Sequence, residues 1–394
     1  MPAHDARRRS RTLLAVAVGL LIAASSVGVA FVLSPHSAPA AVASCLRSDS
    51  QVADPTAPHG EFVLAPPIHP HDAYYADVQA TLLHNPVVCG ADFWVPWNSV
   101  DAGPTSHAEY NFTSTDAAAA TWVAAGKEVN LIFQMVGTSA NQEYVPSTLL
   151  SEVPTIQCGD SAVTPVAWNA TFESAYRAFM AATVHHYGTI PGIGYLRFGF
   201  GVAGDSNPVQ DINAPGCQNQ LNAVGFTLTV WKGYLTSMLA YERSLNSSFQ
   251  LMVALTPVYP DQGDNVTPAV ATAAAGYGIG IGNEGLRAND SADIDANGIG
   301  CGGYGWCKEF SKFAGVVPLE LQTVSATSPN GTGPVGSLVP LLPFALTQHT
   351  QIFEIYLEDW LTAFDPNYPA YPMYHSAYAQ ALAQTALVVG TSAG

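Results

Sequence analysis

Short apolar runs alternate along the chain with stretches whose apolar residues recur every three or four positions. The first kind of segment predicts buried strands and the second predicts amphipathic helices. Strands are expected at Glu61–Ala65, Val87–Val95, Glu128–Val136, Ile193–Phe200, Phe249–Val258, Tyr277–Gly282, Gly315–Ser325 and Gln351–Leu357. Helices are expected between and after them, at Ala73–His84, Thr115–Ala125, Thr171–Tyr187, Ala223–Leu245, Asn265–Ala275, Trp306–Ala314, Ser337–Leu346 and Tyr374–Leu387. The third helix shows its stripe most plainly, with Phe172, Tyr176, Phe179, Met180 and Val184 at helical spacing. Pro340 and Pro343 predict a kink or break in the seventh, because proline removes a helical hydrogen bond and crowds the preceding turn.

Alternating strand and helix imposes parallel pairing through right-handed crossovers, and eight such units let a sheet close on itself. The expected fold is α/β, a single (β/α)8 TIM barrel with long βα loops, spanning residues 44–394. An open, doubly wound sheet also alternates, but no glycine-rich phosphate loop follows the first strand.

Several strands carry polar residues where an apolar one is expected. In Gly315–Ser325 the charged residue is Glu320, and ionised Glu is costly to bury unless it is paired or faces a cleft. Gln322 shares its face, because strand side chains alternate. Asp92 and Trp94 end the second strand, with Trp97 just beyond, and Gln134 ends the third. Arg197 lies on the fourth strand with Asp205 in the loop after it, Glu284 follows the sixth strand, and Glu354, Tyr356 and Glu358 end the eighth. Barrel strand ends and the loops after them carry the working residues.

Two carboxyl groups for the bond and aromatic faces for sugar rings are what glycoside cleavage needs. The candidate catalytic residues are therefore Glu320, Asp205, Glu354 and Glu284. Candidate substrate-binding residues are Asp92, Trp94, Trp97, Gln134, Arg197, Gln322, Tyr356 and Trp306, with Trp360 a further flanking aromatic. Each aromatic taken alone is equally a packing residue, and a lone buried Glu is equally an acid held by a structural arginine.

Composition narrows the setting. With 48% hydrophobic and 11% charged residues, the 394-residue chain has ample core and little in common with disordered segments. The net charge of −17, with no basic stripe, disfavours nucleic acid and anionic lipid as partners. Arg7, Arg8, Arg9 and Arg11 precede the uncharged run Leu13–Leu33 and a small-residue segment, SPHSAPAAVAS. Residues 1–43 thus read as a signal peptide or signal anchor with a short linker. The expected location is secreted or extracytoplasmic, with anchoring in the membrane through Leu13–Leu33 if the leader is retained. Six cysteines in an exported chain are expected to pair, and one arrangement joins Cys301 to Cys307, Cys158 to Cys217 and Cys45 to Cys89.

The segments FWVPWNSVDAGP and GKEVNLIFQ, together with the Glu of PLELQT on strand seven, give the chain a resemblance to clan A glycoside hydrolases. The early strands look like those of barrel β-galactosidases and cellulases. That resemblance implies a retaining two-carboxylate mechanism with Glu320 as the nucleophile. The clan's acid/base is a Glu that follows Asn at the end of strand four, whereas this chain reads Ala203-Gly204-Asp205 there. Asp is one methylene shorter, so Asp205, Glu284 and Glu354 all stand as candidates for the acid.

Two other readings compete. A barrel that binds glycans without cleaving them uses the same aromatics. A metal-dependent hydrolase fits His69-Pro70-His71-Asp72 after strand one, but strands five and six lack the histidines such enzymes need. Asp293–Gly298 begins like a calcium loop yet has Tyr304 where the closing Glu belongs. The expected partner is a carbohydrate substrate, with no metal, cofactor or protein partner implied.

Overall fold

A computed structural model describes residues 58–65, 73–101, 109–256, 258, 266–288 and 306–392. Eight strands form a closed, all-parallel barrel. In chain order they are β1 (Gly60–Ala65), β2 (Gly90–Pro96), β3 (Glu128–Gln134), β4 (Ile193–Phe198), β5 (Gln250–Ala254), β6 (Gly280–Leu286), β7 (Leu319–Thr323) and β8 (Ile352–Tyr356). Each pairs with its sequence neighbours, and β1 pairs with β8 to close the ring, with Phe62 opposite Glu354 and Leu64 opposite Tyr356. The (β/α)8 architecture expected from the apolar pattern is the one observed, with helices packed around the ring.

Alternation along each strand divides its side chains between two cores. Odd-numbered residues such as Val129, Leu131 and Phe133 of β3, and Leu319 and Leu321 of β7, point outward into a large apolar layer shared with the helices. Phe62, Leu64, Cys89, Ile132, Tyr195, Met252 and Ile352 point inward and form a smaller cluster. Both faces are covered, which is why β4 and β7 are buried along their full length and read as continuous apolar runs. The acids Asp92, Glu320 and Glu354 share the inner face with that cluster and are at most 1% exposed.

Glycines make room for this polar interior. A side-chain carbon at Gly282 on β6 would overlap the Glu320 carboxylate, and one at Gly280 would overlap the Met252 sulfur. The glycine spacing of the sixth strand therefore reflects close approach across the barrel wall.

Helix boundaries follow local chemistry. Asn169 caps Ala170–Tyr187 by accepting from the backbone N–H groups of Thr171 and Phe172. The single helix expected over 223–245 is instead two, Cys217–Ala223 and Leu228–Ser244. Gly225, at φ 73°, turns the chain between them, and Thr227 caps the second by accepting from Val230 N. The helix Leu338–Thr347 runs through Pro343 without the expected break, with Ser337 as its cap. The sixth strand extends to Leu286, so Glu284 lies within it and not after it. Short helices at Trp97–Val100 and Leu357–Phe364 were not signalled by the pattern.

The Cys158–Cys217 disulfide is present and spans 59 residues of sequence, tying the loop after β3 to the loop after β4. Cys89 and Cys307 are also disulfide-bonded. Cys45 and Cys301, their partners in the expected arrangement, lie outside the described residues, as do the leader, His69, His71 and the segment 293–304. Among the described residues no helix is long and apolar enough to cross a membrane.

The close approach at β6 gives a direct test. Gly282→Ala is expected to destabilise the fold by about 1–3 kcal/mol, the usual range for overpacking a core. The urea midpoint should fall without a change in slope.

Candidate active site

The centre of the barrel interior is Arg197 on β4, wholly buried. Its Nη1 donates to Glu320 Oε2 at 2.8 Å and to Glu354 Oε1 at 3.0 Å. Its Nη2 donates to Glu354 Oε2 at 3.2 Å and to Glu284 Oε1. One guanidinium therefore joins β4 to acids on β6, β7 and β8. A planar fork of donors suits this task, since two carboxylates can be met along its edge.

A second set of hydrogen bonds braces the first from β2 and β3. Tyr195, two residues before Arg197 and on the same face, donates its hydroxyl to Glu354 and lies 3.3 Å from Asp92 Oδ1. Asn130 donates to Asp92 Oδ1 at 2.6 Å and accepts from the Tyr195 backbone N–H at 3.0 Å. Tyr195 and Asn130 were not among the expected site residues. The signal for Tyr195 was its i, i+2 relation to Arg197.

Glu284 is set apart by a bulge. The β6–β7 register shifts between Asn283 and Leu286, and a bulge re-aims the side chains beside it. Asn283 stitches the bulge by donating to Leu255 O at 2.5 Å and accepting from Gly285 N at 2.8 Å. The Glu284 side chain keeps 9% exposure, whereas the side chains of Arg197, Glu320 and Glu354 keep none. Asp205 reaches the same region from the loop after β4. That loop turns through Ala203 at φ 59° and Gly204 at φ 88°, and Gln134 Nε2 secures it by donating to Ala203 O at 3.2 Å. A side-chain carbon at Gly204 would lie 3.6 Å from Glu284 Oε1, which places the turn directly against that carboxylate.

Burial raises the proton affinity of every acid here, and the neighbours then separate them. Glu284 is pushed up to about 7 by burial, opposed by the charge and hydrogen bond of Arg197. Burial and then the charge of Glu284 hold Asp205 well above the usual carboxyl range. Burial and then Glu354 do the same to Glu320. Glu354 is raised by burial but relieved by Arg197 and the Tyr195 hydroxyl. With like charges this close, not all can ionise together. Arg197 donates to Glu354, Glu284 and Glu320, and the upward shift is smaller for Glu354 and Glu284 than for Glu320 and Asp205.

The candidate residues thus divide by depth. The side chain of Glu320, expected as the attacking nucleophile, is completely enclosed and accepts a hydrogen bond from Arg197. Glu354 is enclosed as well, and Asp92 is fixed in the bracing network. Glu284 and Asp205 face the opening, together with half-buried Trp94 and Tyr356, whose rings meet edge to face at 6.1 Å. Gln322 lies one inward step above Glu320, with Nε2 3.3 Å from the Tyr356 hydroxyl. Gln134 is held by the Asp205 loop.

Three tryptophans expected near sugar are core residues. Trp97 is 0% exposed and packs against Phe172, Tyr176 and Phe179. Trp306 packs on Phe310 and Trp360 on Phe364, both beneath the helices. Their nearness in sequence to strand ends was misleading, because the first residues of the following helix turn back onto the outer core.

Two measurements follow. Arg197→Met leaves buried carboxylates without their cation and is expected to cost about 3–5 kcal/mol in urea unfolding, with Arg197→Lys intermediate. Glu284, raised to about 7 from 4.5, binds a proton more tightly folded than unfolded, so its contribution is fully present below pH 4.5 and is lost as pH rises through 7. Asp359, buried against Thr327 and raised to about 7, adds to the same trend. Stability should fall from about pH 5 to about pH 8, and Glu284→Gln should flatten that slope.

No family model and no curated protein sequence matches the chain. Solved structures match its fold. The catalytic domain of a β-amylase from Paenibacillus polymyxa aligns at a TM-score of 0.50 and 11% identity, covering 75% of this chain and 91% of that one. An endo-β-1,4-xylanase from Gloeophyllum trabeum aligns at 0.47 and 14%, covering 84% and 98%. Xylanase 10B from Thermotoga maritima aligns at 0.48 and 10%, covering 83% and 96%. The closed barrel of this chain is thus the fold of a β-amylase catalytic domain.

Proposed function

We propose that the protein is an exported glycoside hydrolase that cleaves O-glycosidic bonds of a poly- or oligosaccharide at the carboxyl end of its barrel. The observation that carries this reading is the loop bearing Asp205 turned against the Glu284 carboxylate at the opening, with Arg197 donating to Glu284 and the proton affinities of the two acids raised unequally. Two carboxyl groups whose surroundings push their proton affinities apart supply an acid and a base at one site. The fold shared with a β-amylase assigns no roles, so the reading rests on this chemistry.

Asp205 donates its proton to the glycosidic oxygen as the bond to the anomeric carbon breaks. The Glu284 carboxylate, oriented by the Arg197 hydrogen bond, stabilises the positive charge that develops on the sugar; a water then bonds to the anomeric carbon and gives its proton to the Asp205 carboxylate, restoring the acid. Trp94 and Tyr356 supply the aromatic edge of the sugar site. Glu320 and Glu354 hold the guanidinium from below, which assigns strand seven a supporting part in place of the nucleophilic one implied by the resemblance to clan A. Export rests on the leader, residues 1–43.

Hydrolysis of a panel of aryl glycosides and oligosaccharides tests the reading. Glu284→Gln and Asp205→Asn are each expected to lower kcat/KM by at least about 100-fold, the lower end for acid/base catalysis. Glu320→Gln, which keeps the shape of an enclosed side chain that lies outside the acid pair, is expected to stay within about tenfold of wild type. Equal inactivation by Glu320→Gln with full activity in Glu284→Gln would return the nucleophile to strand seven. Glycan binding without turnover by the wild type would favour a non-catalytic barrel.

A further inference from the structure

The hydrogen-bonding groups left over at the opening are unbalanced. Gln322 is 2% exposed and its Oε1 accepts from no donor, although its Nε2 reaches the Tyr356 hydroxyl. Asp205 Oδ1 is likewise buried without a donor. The indole N–H of Trp94 and the Nε–H of Arg197 are unpartnered donors in the same region. A buried acceptor without a donor costs about 1–3 kcal/mol, so a ligand that brings donors gains what these groups lack.

Charge points the same way. Arg197 faces Asp92, Asp205, Glu284, Glu320 and Glu354, and both of its terminal nitrogens are already committed to Glu284, Glu320 and Glu354. Glu358, in the first turn after β8, adds its charge beside the Tyr356 hydroxyl. An ammonium group offers three donors and no acceptor, the inventory that the buried Gln322 Oε1 calls for. The ring faces of Trp94 and Tyr356 attract a cation as well as a sugar. A carboxylated or sulfated sugar meets the opposite condition, with like charges facing it.

We infer that the opening takes an amino sugar with a free ammonium group, so that the substrate is a partly or wholly deacetylated amino-sugar polymer. The inference rests on the glycosidase reading and names its substrate class. The net charge of −17 draws such a polycation toward the protein and accelerates encounter at low ionic strength.

The test uses the full exported chain and tetramers of glucosamine and galactosamine, their N-acetylated forms and neutral glucose tetramers. Binding is measured by titration calorimetry and hydrolysis by product analysis, at about pH 7, where most of the amines and about half of Glu284 are charged. The free-amine tetramer of one series is expected to bind at least about tenfold more tightly than its N-acetylated and neutral counterparts, and more weakly as salt rises. Gln322→Leu, with its melting temperature checked, should lose most of that preference.

Equal or tighter binding of the N-acetylated or neutral tetramers overturns the inference, as does failure of both free-amine tetramers to bind. Hydrolysis of a neutral or N-acetylated glycan without amine preference leaves the glycosidase reading standing while this one falls. A tenfold amine preference in binding without any hydrolysis upholds the inference and removes the catalytic reading.

Discussion

One guanidinium, enclosed in the middle of a closed barrel, holds the polar interior together. Taking a cation and several carboxyl groups out of water is unfavourable, and the mutual attraction offsets that only with good geometry and full hydrogen bonding. Arg197 spreads its terminal donors over Glu320, Glu354 and Glu284, while Tyr195, Asn130 and Asp92 fix the acids from the other side, and its Nε and Glu320 Oε1 stay buried without partners. Everything at the opening depends on this arrangement. The charge of Arg197 opposes the effect of burial on Glu284, and burial first, then the charge of Glu284, raises the proton affinity of Asp205. Glycines at β6 are part of the same device, since an ordinary side chain at Gly282 would displace the acid on which the guanidinium rests.

The barrel was legible in the sequence because its strands are buried on both faces and its helices on one. That difference in burial writes two distinct periods into the chain, and the eightfold alternation then restricts the topology. The polar intrusions were legible for the same reason: Glu320 in an apolar run and Arg197 near the end of another are costly placements without a partner. What the pattern did not carry was depth. Strand alternation tells which face a residue occupies, not how far along the barrel axis it sits, so Glu320 read like a residue at the opening although its side chain is fully enclosed. The bulge at Asn283–Leu286 had no signal beyond a glycine on either side, yet it is what brings Glu284 to the open end.

The tryptophans show a related limit. Trp94 and Trp97 are three residues apart in sequence, and only the first, on the inward face of β2, reaches the site. Trp97 opens a short helix that turns back on the outer core, where Phe172, Tyr176 and Phe179 enclose it. Composition and proximity to strand ends cannot separate the two cases, because both residues are large and apolar. The second inward-facing aromatic, Tyr356, is distinguished by its acidic neighbours. That combination of acids, unpartnered acceptors and ring faces gives the opening a chemical character that the fold alone does not confer.

The most direct test of the account is to find which carboxyl group a sugar at the opening can reach. Epoxyalkyl glycosides of the preferred sugar esterify an accessible active-site carboxylate, and peptide mapping by mass spectrometry locates the bond. Labelling of Glu284 or Asp205, with protection by the unreactive glycoside, is the predicted result. Labelling of Glu320 would show that the residue beneath Arg197 is open to substrate, and would contradict the division of the acids by depth.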